Sequence, residues 1–292
     1  MTLYFMQLAD PQFGMFAALS GKSEEEAAEY RARGLKVRPL PKITGLQPER
    51  ELFGEAIKEA NRLRPAFVVV CGDMVHQWDD PEQLDAVKEI ASRLSPDIPI
   101  YWVPGNHDAC CDGAQAVTHD TLSAYRSNFG ADYYAFQHGG TSFIVANSAV
   151  MYAPEGVEDE WSAQLSFLET ELQAAARRDA GRIIVFTHHP LFVHHPEENV
   201  PEESGVVVPL AQRRPVMDLL RRHGVSAVFA GHWHRNNYSC DDVTGMQMIS
   251  SGAVGYPLGD DPSGYRIVRV SPGGLSHRYF EFGDGPERLE AV

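Results

Sequence analysis

Short apolar runs alternate with amphipathic stretches along this chain. The runs LYFMQLA, AFVVVCG, IPIYWVPG, RIIVFTHH and VSAVFAGH are nearly continuous in aliphatic and aromatic residues. That composition fits strands buried on both faces. Between them, Leu52, Phe53, Ile57 and Ala60 recur at helical spacing and predict a helix from Pro48 to about Arg64. Similar patterns predict helices near Pro81–Leu94, Thr118–Phe129, Ser162–Arg178 and Pro215–His223. The runs YYAFQHG with TSFIVANS, and MQMISSG with YRIVRVS and SHRYFEF, predict antiparallel pairs. Alternating strands and helices predict an α/β domain, and two sheets sandwiched between helices accommodate the count. No repeat or linker divides the chain, so one domain over residues 1–292 is expected. Residues 14–47 and 193–209 resist the pattern. Irregular insertions of that length are functional loops or disordered segments.

The 292 residues, 43% hydrophobic and 22% charged, are enough for one sizeable core. No apolar stretch is long enough to span a bilayer. The N-terminal MTLYFMQLADPQFG has no basic region ahead of its apolar run, so it reads as a core strand and a cytoplasmic location is expected. A formal charge of -15 argues against nucleic acid and anionic membrane as partners. A small phosphorylated ligand stays possible, because bound metal ions reverse the sign locally. Four cysteines make neither a disulfide framework nor a zinc knuckle. Cys71 reads as a core thiol, and the adjacent Cys110 and Cys111 as reduced.

The chemistry sits where the strands end. Asp10-Pro11-Gln12, Gly72-Asp73, Gly105-Asn106-His107-Asp108, His188-His189-Pro190 and Gly231-His232-Trp233-His234 each follow an apolar run. Ligands bind at that edge of open α/β sheets. One such fragment is most often a turn; five are hard to explain as packing. Carboxylates, imidazoles and an amide oxygen suit manganese, iron or zinc. Two such ions about 3.5–4 Å apart can clamp an in-line displacement at phosphorus. His232 and His234, two apart on an extended segment, share one face.

The ordered set D-x-[H/Q], GD, GNHD, H and GHxH resembles the calcineurin-like metallophosphoesterase family and spans Asp10 to His234. The phrases DPQFG, CGDxVH, GNHD and GHxHRN resemble a subgroup of it, the cytosolic calcineurin-like phosphoesterase domain-containing serine/threonine phosphatases. The resemblance implies a four-layer α/β/β/α sandwich with mixed sheets and a dinuclear site of divalent or mixed-valence ions. It implies one metal on Asp10, Asp73 and His234, and a second on Asp73, Asn106, His188 and His232. Asp73 bridges, and His189 is a neighbour. His107 is implied to be catalytic, beside the phosphate, with His76 or Asp108 orienting it. Gln12 stands where most relatives have histidine. It could ligate weakly, bond to a metal-bound water or touch substrate. The implied activity is phosphomonoester hydrolysis on a phosphorylated small molecule or phosphoprotein, phosphoserine and phosphothreonine among the candidate groups. The alternatives are a phosphodiesterase on the same site, or a scaffold of the same fold without catalysis.

The stretch from Arg31 to Lys42 carries five basic residues and no acid. Pairing with surface carboxylates is one reading. A grip on phosphorylated substrate is the other. Glu24, Glu25 and Glu26 read as a solvated helix face.

Overall fold

The computed structural model describes residues 2–109, 116–178, 181–199 and 205–291. Cys110 and Cys111 lie outside them. Cys71 and Cys240 are free thiols. No helix among the described residues is long and apolar enough to cross a membrane.

The first sheet has five strands: β1 (Leu3–Leu8), β2 (Val68–Cys71), β3 (Ile100–Val103), β10 (Gly264–Ser271) and β11 (Gly274–Glu281), in the order β11-β10-β1-β2-β3. Its β1, β2 and β3 run parallel, and β10 and β11 add an antiparallel edge. The second has six: β4 (Tyr134–His138), β5 (Thr141–Val145), β6 (Arg182–Phe186), β7 (Ala227–Ala230), β8 (Asn237–Cys240) and β9 (Gln247–Ser250), in the order β4-β5-β6-β7-β9-β8. Its β5, β6, β7 and β9 are parallel; β4 and β8 are antiparallel edges.

Alternation along the strands builds the layers. Phe5, Val69 and Cys71 point one way and meet Phe143, Ile184, Phe186 and Phe229 of the facing sheet. Met6, Leu8, Val68 and Val70 point the other way, onto α3 (Gln47–Leu63) and α4 (Pro81–Ala91). Ile183, Val185 and Val228 pack on α7 (Glu158–Arg177) and α8 (Leu210–Arg222). The architecture is therefore the four-layer α/β/β/α sandwich.

Several expectations change in detail. MQMISSG does not pair with YRIVRVS: β9 lies against β7 and β8, and β10 against β1. The connection between them crosses from one sheet to the other, and Val254 N and Gly255 N donate to Ala9 O and Asp10 O on the way. Helix α8 begins at Leu210 and carries Pro215 inside it, five residues before the start that Pro215 suggested. Helix α7 starts at Glu158, with three acids in its first turn. The 14–47 segment lies wholly within the described residues. It holds α1 (Met15–Leu19) and α2 (Glu24–Ala32), the latter opened by a capping box between Ser23 and Glu26. Its Met15, Leu19 and Val37 pack on Tyr256 and Leu258. Arg31 pairs with Glu24 and Lys36 with Asp260, which is the carboxylate-pairing reading for those two.

Candidate metal centre

The two sheets bring their parallel strands' C-terminal ends to one edge. Asp10 and Gln12 follow β1, Asp73 follows β2, and Asn106 and His107 follow β3. His188 follows β6, and His232 and His234 follow β7. Asp10, Asp73, His188 and His234 are all at most 2% exposed. Ligand atoms of Asp73, His188 and His232 lie within 4.8 Å of one another, as do those of Asp10, Asp73 and His234. The two groups share Asp73, so the spacing places that carboxylate between them.

The backbone is bent to reach this geometry. Six non-glycine residues among those described have positive φ, and five are Asp10, Gln12, Asp73, His232 and His234. Such strain persists only where the surroundings enforce it, and it clusters at functional sites. Gly231 lets strand β7 approach Asp10 closely: a Cβ there would lie 2.6 Å from Asp10 Oδ2.

Hydrogen bonds fix which ring nitrogens carry protons. A carbonyl can only accept, so each imidazole nitrogen facing one is the N–H. His188 donates from Nδ1 to Cys71 O at 2.9 Å. His234 donates from Nδ1 to Tyr256 O at 2.5 Å, and His232 from Nε2 to Gly205 O at 2.8 Å. The opposite nitrogens are left as lone pairs. His188 Nε2 then faces His232 Nδ1 at 3.1 Å, Asn106 Oδ1 at 2.9 Å and Asp73 Oδ1 at 3.3 Å. His234 Nε2 faces Asp10 Oδ1 at 3.3 Å. These acceptor atoms repel one another unless a positive charge sits among them, either a second proton on His188 Nε2 or a metal cation that takes its place. Backbone carbonyls behind ligating histidines are the usual supporting shell of a metal site.

The electrostatics agree. Asp10 and Asp73 form ion pairs only with histidine among the described residues. Burial by itself would raise the Asp73 carboxyl, but His188 and His107 outweigh it and hold it well below the usual carboxylate range. Burial would likewise lower His188. The carboxylates of Asp73 and Asp10, with the bond to Cys71 O, push it up to about 9. Burial and then His188 push His232 down to about 4. The site draws positive charge inward, and its donor set fits two borderline divalent ions. Gln12 is 2% exposed and its Oε1 has no partner, while its Nε2 lies 3.4 Å from His76 Nδ1. An orphaned buried oxygen beside this cluster fits the same reading.

His107 and Asp108 diverge. The His107 ring stacks on His76 with centroids 4.7 Å apart, and its Nδ1 donates to His76 O at 2.9 Å. Its backbone N–H donates to Asp73 Oδ1. Asp108 does not touch that ring. Its Oδ1 accepts from Met74 N and Val75 N, and its Oδ2 from Gly105 N. The Asp108 carboxylate, one of the two groups expected to orient His107, accepts from three backbone N–H groups. Burial, reinforced by Asp73, pushes its carboxyl up to about 7. His189 packs on the His188 and His232 rings and bonds through Nδ1 to Ser148 Oγ. Sequence reasoning missed Gly205, Ser148 and Tyr256. Two of them act through backbone carbonyls, which carry no residue-type signal.

Residues 45–236 match the calcineurin-like phosphoesterase family. The serine/threonine-protein phosphatase CPPED1 of Danio rerio is 33% identical over 98% of this chain and 86% of its own length. A dimetal phosphatase structure from Danio rerio superposes with a TM-score of 0.61 at 15% identity, over 96% of this chain and 99% of that one. Purple acid phosphatase PPD1 from yellow lupin gives 0.67 at 14% identity, over 98% and 52%.

Proposed function

The chain belongs to the calcineurin-like phosphoesterase family and is a metal-dependent phosphoester hydrolase with two ions; from that premise we propose that it is a phosphomonoesterase acting on phosphoserine or phosphothreonine. The observation that carries the proposal is the convergence of lone pairs from His188, His232, Asn106 and Asp73 at one strand edge. The substrate class is supported by a phosphatase relative that matches nearly end to end.

In this reading Asp10, Asp73 and His234 would hold one ion, and Asp73, Asn106, His188 and His232 the other. Gln12, whose buried Oε1 has no partner, would be a further candidate donor to the first. Manganese, iron or zinc suits the donors. The ions supply Lewis acidity, which offsets charge on phosphoryl oxygens and makes a nucleophilic water accessible near neutral pH. The protein does the rest. His107, half-buried and with its Nδ1 proton held by His76 O, presents Nε2 to the substrate. As an imidazolium, protonated on both nitrogens, it donates the Nε2 proton or a hydrogen bond to the leaving oxygen and returns to the Nδ1–H form. Asp108 keeps the Asp73 and Asn106 loops in register through three backbone N–H groups. The expected cytoplasmic location belongs to this proposal.

Comparing para-nitrophenyl phosphate, its bis-ester and a phosphoserine peptide tests the reading. Preference for the monoester and the peptide is expected. Faster turnover of the bis-ester would move the assignment to a phosphodiesterase.

A further inference from the structure

Two segments broke the sequence pattern, 14–47 and 193–209. Each is linked to one ligand histidine, the first through Tyr256 and the second through Gly205. His234 donates to Tyr256 O, and the side chain of Tyr256 is gripped by the first segment. Phe16 packs on its ring with centroids 4.9 Å apart, and Arg38 N–H donates to its hydroxyl at 2.6 Å. Lys36 N–H adds a bond to Leu258 O, so the arm runs along this stretch rather than touching one point. His232 donates to Gly205 O, and Gly205 belongs to the second segment. The described residues on either side of it are held in place. The buried Arg213 donates to Leu191 O and Glu198 O, and Val208 N donates to Pro190 O.

We infer two separate positioning devices, one for each ion: the 14–47 arm sets His234 through Tyr256, and the backbone carbonyl of Gly205 sets His232. The inference rests on the two-ion reading above. The chemical reason is the tautomer. A carbonyl in place holds the proton on the far nitrogen and leaves the near one free to ligate. A displaced carbonyl releases both the ring angle and the tautomer. Losing such a partner typically weakens metal affinity about 10–100-fold. The His188 ring is held differently, by Cys71 O at the end of a core strand, and should ignore both insertions.

The test is a double dissociation. Tyr256→Ala removes the arm's handle. Tyr256→Phe keeps the ring contact with Phe16 and loses the Arg38 bond, so it should fall between. Gly205 has φ of 59°, and Gly205→Val forces a β-branched residue off that conformation, moving its carbonyl. Histidine side-chain nitrogen shifts of the metal-free protein report each ring's tautomer without any ion. Tyr256→Ala should mix the His234 tautomers and leave His232 alone; Gly205→Val should do the reverse. Cobalt titration of stripped protein should then show one of two affinities weakened about 10–100-fold in each variant, a different one each time. Folded variants in which both rings respond equally, or neither does, would overturn the inference. Wild-type protein that binds no cobalt would overturn the functional reading instead, while the ring shifts would still decide this one.

Discussion

Adding a single methyl group at Gly231 should disable the site while sparing the fold. Its φ is not in the left-handed region, so alanine is conformationally acceptable there. The obstacle is space. A Cβ would meet Asp10 Oδ2 at 2.6 Å, Cys71 O at 2.7 Å and Ala9 Cβ at 2.8 Å. The first falls about 0.8 Å short of an ordinary 3.4 Å contact. None of the three atoms is the loose end of a flexible side chain. Asp10 is fixed by His232 N–H, which donates to Oδ1 at 3.1 Å and Oδ2 at 3.0 Å. Relief must come from moving Asp10 or the His232–His234 turn. Overpacking of this kind costs about 1–3 kcal/mol. That is a drop of a few degrees in melting temperature for a chain this size. A ligand displaced by nearly 1 Å costs far more in rate, on the order of 100-fold. Gly54→Ala is the matched control. Gly54 lies within helix α3 with nothing within 4 Å of its Cβ position, so the change should stabilise by about 0.5–1 kcal/mol. Melting curves, metal content and para-nitrophenyl phosphate turnover on both variants supply the assay. Gly231→Ala protein with full metal content and turnover within about threefold of wild type would refute the steric reasoning.

Three further outcomes follow from the same geometry. Asp73→Ala should remove both ions and all turnover, read by elemental analysis, since both ligand groups share that carboxylate. His107→Ala should lower kcat about 10²–10⁴-fold with metal content retained; loss of the ions instead would show that His107 supports the site rather than the reaction. Asp241 gives a pH dependence. Burial would raise its carboxyl, but bonds from Arg221 and Thr244 outweigh burial and hold it down to about 2. A folded-state pKa below the unfolded one adds stability above pH ~4, and that stability fades as pH falls toward 2. The contribution is on the order of 1 kcal/mol, because Arg221 is partly solvated. The melting difference between wild type and Asp241→Asn should shrink as pH drops from 5 to 2.5; a constant gap would contradict the assignment.

What the sequence made legible follows residue-type signals. The strands ending in Asp10, Asp73, Asn106, His188 and His232 were visible as apolar runs stopped by polar residues, and they do meet at one edge. Helices α3, α4 and α5 (His119–Phe129) were visible from apolar spacing. The partner of β9 was not, because strand pairing across a sheet-to-sheet crossover leaves no local trace. The role of Asp108 was not, because its partners are backbone N–H groups at Met74, Val75 and Gly105, which any residue could supply. The same blindness hid what orients His107. The His107 ring bonds to the His76 carbonyl and stacks on the His76 ring, contacts that carry no residue-type signal for an orienting acid.

The central claim is that two ions on this strand edge make the chain a phosphatase. Titrating metal-stripped protein with manganese while following para-nitrophenyl phosphate hydrolysis tests it most directly. The account predicts no turnover at the start and a rise that levels off at two ions per chain. Full turnover by the stripped protein, or uptake of two ions with no hydrolysis of any phosphoester, would contradict it.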